Sequence, residues 1–166
     1  MNGTVVIGLG NPLMGDDGAG LAALETLRDN WTMEGVELVD GGTWGMSLLP
    51  VLEDSDRVIF VDAIRAGGQA GEIAVLERER LPIYFTRALS PHQTDLLDVL
   101  AAAELRGTIP SECVAIGVEP ELVELGTELT AVVQRSIDPL AVAVIGRLRA
   151  WGHDCAPRAA GAVCTK

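Results

Sequence analysis

Five short, nearly unbroken apolar runs limit what this chain can fold into. They are residues 4–9, 36–40, 57–62, 72–77 and 112–118. Each has the length of a strand, and several lack the alternation of a sheet with one wet face. They read as strands covered on both sides. Between them the apolar spacing becomes helical. Helices are predicted over about 17–31, about 46–52, a stretch following Ser90, and about 128–151. Pro139 falls inside the last apolar stripe and is expected to kink or break that helix. Strands alternating with helices predict the α/β class: a three-layer sandwich whose largely parallel five-stranded sheet lies between helical layers. The 166 residues suit one domain, expected over 1–155. Residues 156–166 are rich in Ala, Gly and Pro and are expected to form a loose tail.

Composition removes several function classes. A formal net charge of −12 opposes nucleic acid and anionic lipid, which both require a cationic face. It suits a basic partner, a cation, or simple solubility. Of 12 basic residues only Lys166 is lysine, so Schiff-base, P-loop and Ser–Lys chemistry have no interior candidate. The first apolar run has no basic segment before it and is too short for a signal peptide or a membrane span. Three cysteines, Cys113, Cys155 and Cys164, show no C-x-x-C spacing. Cys113 sits in an apolar run and reads as core. Cys155 and Cys164 could pair, although reduced thiols are the default inside a cell. The protein is expected to be a cytoplasmic monomer.

In a sheet of this kind function gathers where loops leave the carboxyl ends of strands. The first such loop, Gly8 to Gly20, lacks the third glycine of a dinucleotide fingerprint and the lysine of a Walker loop. It carries two adjacent carboxylates instead, Asp16 and Asp17. One suffices to cap the following helix. The second loop, Asp40-Gly41-Gly42-Thr43, admits the close approach of a ligand backbone. It also reads as a tight turn with Thr43 as a cap. The third begins with Asp62, a carboxylate ending an apolar strand, where it must be exposed, paired or metal-bound. Ser90-Pro91-His92-Gln93 has the form of a capping box, with Ser90 as cap, Pro91 in the first position and Gln93 reaching back. His92 then lies in the first helical turn, where the helix dipole favours the neutral imidazole that a metal requires. Two carboxylates and an imidazole would suit nickel or zinc. Neither H-E-x-x-H nor G-x-S-x-G occurs.

These motifs together resemble the hydrogenase maturation proteases. The resemblance rests on Gly10-Asn11-x-x-x-x-Asp16-Asp17-Gly18-x-Gly20, Asp40-Gly41-Gly42-Thr43-x-Gly45, Asp62-Ala63 and Ser90-Pro91-His92-Gln93. It continues weakly through Val114-Ala115-Ile116-Gly117-Val118-x-Pro120, and order and spacing agree from residue 4 to about 151. The segment from Phe85-Thr86 to His92-Gln93 looks most like the branch serving uptake hydrogenases. The resemblance implies a twisted five-stranded sheet flanked by helices. It implies an endopeptidase that removes a short C-terminal extension from a nickel–iron hydrogenase large-subunit precursor once nickel is inserted. It also implies that Asp17, Asp62 and His92 contact the nickel carried by that substrate, for which other divalent metals can substitute. Asp16 is left as the cap. Asp17 or Asp62 is expected to act as general base toward water, and Asp40 to Thr43 to border the substrate.

Three other readings are weaker. Gly8-Leu9-Gly10-Asn11-Pro12 resembles the opening of peptidyl-tRNA hydrolases, but no matching histidine motif follows and the charge opposes tRNA. A nickel-binding assembly chaperone could use the same three ligands without cutting, yet the chain has no His-rich or Cys-rich store. A spore-protein protease of similar fold lacks the local context of Ser90 to Gln93.

Overall fold

The computed structural model describes residues 3–81, 84, 87 and 91–159, without the side chains of His92 and Thr94. Its strands are β1 (Gly3–Leu9), β2 (Trp31–Met33), β3 (Val36–Gly42), β4 (Ser55–Ala63), β5 (Ile73–Glu77), β6 (Glu112–Val118) and β7 (Cys155–Pro157). Its helices are α1 (Ala19–Asn30), α2 (Leu49–Glu53), α3 (Pro91–Leu105) and α4 (Ala131–Ala150). The five expected strands make one sheet, ordered β3-β1-β4-β6-β5. Four run parallel, and β5 lies antiparallel along the β6 edge. The chain reaches β5 through residues 64–72, too short a link for the dozen or more residues of a parallel crossover.

Register sorts the apolar residues by face. Val5 pairs with Val58, and Val6 with Ile59. Val6, Ile59, Val61, Val114 and Ile116 form a core with Leu24 and Leu27 of α1 and with Ile137, Leu140 and Val144 of α4. Val5, Ile7, Val58 and Phe60 face the opposite side, against Leu52 of α2 and Leu96 and Val99 of α3. Central strands buried on both faces explain the near-continuous apolar runs. The three-layer α/β sandwich is as expected.

Close approach of α1 to the sheet requires Gly20. A β-carbon there would lie 2.2 Å from the Val61 carbonyl oxygen and 2.3 Å from that of Leu9. The helix therefore rests on backbone, which holds its N-terminal end against the carboxyl ends of β1 and β4.

Three expectations are corrected. The first helix does not reach Trp31, which is extended (φ −130°, ψ 147°) and opens β2. Pro139 does not break the last helix, which runs unbroken from Ala131 to Ala150. Arg135 and Pro139 both lie on the exposed face, so the Arg135 carbonyl that loses its amide partner can turn to water. The loose tail does not begin at 156. Residues 155–157 pair antiparallel with Trp31–Met33, and the Arg158 amide donates to the Asn30 carbonyl at 2.7 Å. Cys155 is buried in this small sheet, and Cys164 lies outside the described residues.

Candidate functional site

The site forms where the loops after β1, β3 and β4 meet at the carboxyl edge of the sheet. The first loop leaves β1 through Gly10 (φ +124°), a backbone geometry that L side chains rarely adopt. A β-carbon on Gly10 would fall 1.8 Å from the Asp17 carbonyl oxygen and 3.5 Å from Oδ1 of Asp62. Gly10 is thus the point at which the Asp17 turn and the Asp62 carboxylate come together. The Asn11 amide donates to Oδ2 of Asp17 at 2.9 Å.

Asp16 and Asp17 occupy a 3-10 turn, Gly15–Gly18, and both are fully buried. Asp16 does not cap α1, because no side-chain cap bond forms at either helical start. Its carboxylate points the other way. It accepts the amides of Glu121 and Leu122 at 2.9 Å each, the Thr130 amide at 2.7 Å and the Thr130 hydroxyl at 3.0 Å. Asp16 therefore ties the first loop to the loop between β6 and α4. Asp17 remains on the site side of the turn.

Asp62 is the penultimate residue of β4 and is fully buried. Its Oδ1 accepts the Ala63 amide at 2.8 Å. Its Oδ2 accepts the Tyr84 hydroxyl at 2.6 Å and Nε2 of Gln93 at 3.0 Å. The same Gln93 nitrogen donates to the Ala63 carbonyl at 2.9 Å. A buried carboxylate requires such donors, and these also fix its plane. Burial first, and then the Asp62 carboxylate, push the Tyr84 hydroxyl well above its ordinary value near 10; Asp17 adds to the same effect. The Asp17 turn and the Asp62 carboxylate thus both border Gly10 at the carboxyl edge of the sheet.

Sequence reasoning did not single out Tyr84, nor the contacts that Nε2 of Gln93 makes with Asp62 and Ala63. The capping box expected of Ser90 and Gln93 falls on Ser90, which lies outside the described residues. Pro91 does open α3, as expected of a proline in the first helical position. His92 follows it in that first turn, one residue before Gln93; its side chain lies outside the described residues. Among the described residues no group of three His, Cys, Asp or Glu side chains converges as a metal site.

The second loop borders this arrangement. The Gly10 amide donates to the Gly42 carbonyl at 3.0 Å, and the Trp44 amide to the Gly41 carbonyl at 2.8 Å. Asp40 and Thr43 are exposed, and Gly41 is buried against Ile7. Thr43 caps nothing: the following 3-10 turn, Gly45–Leu48, has Trp44 at its start and no side-chain cap bond. At Gly45 the loop meets the Asp95 side chain of α3. One carboxylate overlooked in the sequence, Glu119, holds the segment after Asp62. Its Oε2 accepts the amides of Ala66, Gly67 and Gly68 at 2.8, 3.0 and 3.1 Å. Three successive amides around one oxygen form an anion nest.

Comparison with known proteins agrees with this picture. A family model described as hydrogenase maturation protease matches residues 21–147. The hydrogenase 2 maturation protease of Escherichia coli K12 is 37% identical over 158 residues, spanning 94% of this chain and 96% of that relative. The hydrogenase expression/formation protein HupD of Rhodobacter capsulatus is 36% identical over 151 residues, spanning 89% and 72%. Among solved structures, the hydrogenase maturating endopeptidase HybD from E. coli superposes with a TM-score of 0.88 at 36% identity, over 95% of this chain and 98% of that one.

Proposed function

The chain belongs to the hydrogenase maturation protease family, and from that premise we propose that it removes the C-terminal extension of a nickel–iron hydrogenase large-subunit precursor after nickel insertion. The nickel arrives with the substrate and is contacted by Asp17, Asp62 and His92. Other divalent ions of similar preference can stand in for it. The uptake-type relative HupD favours a precursor of the uptake branch. Free, buried Cys113 and Cys155 suit a reducing compartment, and the enzyme works in the cytoplasm as a monomer.

One observation carries this reading. Two fully buried aspartates from different loops, Asp17 and Asp62, come together beside Gly10 at the carboxyl edge of the sheet. Burying two like charges together is costly unless a cation or donors compensate. Tyr84, Gln93 and the Ala63 amide donate to Asp62 and the Asn11 amide to Asp17, and a substrate-borne nickel is a further cation that two neighbouring carboxylates favour. His92, at the start of α3, supplies the nitrogen donor. The metal positions the scissile bond and discriminates against an unloaded precursor. Asp17 or Asp62 then takes the proton of the attacking water. Asp40 to Thr43 border the substrate chain.

The experiment is mutagenesis with cleavage read by mass spectrometry. Asp17→Ala and His92→Ala should each abolish removal of the extension while circular dichroism shows an intact fold. Full activity in both variants would remove the assignment.

A further inference from the structure

A groove on the α1–α4 side of the first loop is not used by the site described above. It has a volume of about 500 Å³. Pro12, Leu21, Ala22 and Leu129 contribute apolar surface, and Glu25 and Glu128 contribute carboxylates. Both glutamates are exposed, no lysine or arginine lines the groove, and neither glutamate forms an ion pair with a described residue. Gly15 and Gly18, which flank Asp16 and Asp17, form its near wall. The groove therefore begins one short turn away from Asp17.

Its walls are fastened to each other. The Gly15 amide donates to the Gly126 carbonyl at 2.8 Å and the Gly126 amide to the Leu13 carbonyl at 2.9 Å. The buried Asp16 carboxylate holds residues 121, 122 and 130 from the inside. A groove braced in this way requires little ordering when it binds. The two loops so joined carry three exposed leucines, Leu13 (56% exposed), Leu122 (45%) and Leu125 (85%), outside the lining of the groove itself. Glu121 and Glu124 are interspersed with them and are also exposed. Leucines left in water among uncompensated carboxylates match a partner with the opposite charge and a similar apolar spacing.

We propose that this groove docks a basic, leucine-compatible segment of the substrate precursor next to its cleavage point. An arginine or lysine of that segment sits between Glu25 and Glu128, and its apolar side chains rest on Leu21 and Leu129. This inference rests on the proteolytic reading above. It adds that substrate choice is made partly outside the nickel contacts, by charge.

The test is cleavage of nickel-loaded precursor by the wild-type protein and by the double variant Glu25→Gln, Glu128→Gln. KM should rise about ten-fold at low ionic strength with kcat unchanged, and the gap should narrow in high salt. Replacing the basic residues of the precursor's extension by glutamine should raise KM equally, with no further rise in the double variant. An unchanged KM, a loss in kcat alone, or two losses that multiply independently would each overturn the proposal. If the wild-type protein cuts no precursor, the proteolytic reading itself fails. The groove is then judged by NMR of the nickel-free protein with a synthetic peptide of the extension. Amide shifts at Leu21, Ala22 and Leu129 support docking. Shifts confined to the opposite sheet edge around Pro50 and Val51, or none, refute it.

Discussion

Asp62 is held by the Ala63 amide, Tyr84 and Gln93, and the last two come from 22 and 31 residues away in sequence. Tyr84→Phe removes one charge-assisted bond from Oδ2 of Asp62, which keeps the Gln93 amide. It should destabilise the protein by about 1–3 kcal/mol in urea denaturation and slow cleavage. Stability and rate that both match wild type would show that the hydroxyl does not hold Asp62. Another residue-scale consequence concerns Cys113, whose thiol burial pushes from its usual value near 9 up to about 11. The folded state keeps the proton that the unfolded chain releases. This stabilisation is complete below the unfolded value and is lost as pH rises from 9 toward 11. The stability gap between wild type and Cys113→Ala should therefore shrink across that window, by roughly 2 kcal/mol. A gap independent of pH would contradict this burial. Asp17 and Asp62 were legible in sequence because a carboxylate beside an apolar strand demands a reason. Tyr84 and Gln93 were not, because their partners are set by tertiary contact and a capping box is the nearer use for Gln93.

At the scale of elements, α1 reaches the site through a backbone contact instead of side-chain packing. Gly20 allows it, with the carbonyl oxygens of Leu9 and Val61 where a β-carbon would lie. Gly20→Ala forces the helix off the sheet and should cost about 2–3 kcal/mol, with loss of cleavage because Asp17 moves with the helix start. Calorimetry giving an unchanged midpoint would mean that the helix stands farther from β1 and β4. The strands were legible because burial on both faces leaves apolar runs that turn residues punctuate. Helix ends were less so. The pairing of β2 with β7 joins segments more than a hundred residues apart, and nothing local in Trp31–Met33 or Cys155–Pro157 announces it. Pro139 was expected to kink or break the last helix, but its exposure makes the lost hydrogen bond tolerable and the helix runs through it.

In the whole molecule, each loop at the carboxyl edge has a separate task. Asp16 and Glu119 are anionic fasteners: both oxygens of Asp16 and Oε2 of Glu119 accept backbone amides. Asp17 and Asp62 border Gly10, and α3, in whose first turn His92 lies, carries Gln93 to Asp62. The sequence singled out two acids and one histidine and separated Asp17 from Asp16, whereas the partners of Asp16, backbone amides more than a hundred residues away, required the fold. No helix among the described residues is long and apolar enough to cross a membrane. The central claim is that a substrate-borne nickel completes this site. It is tested most directly by presenting the protein with the same large-subunit precursor, nickel-loaded and nickel-free, and weighing the product. The account predicts loss of the C-terminal extension from the loaded form alone. Equal cleavage of both forms, or of neither by a folded protein, would contradict it.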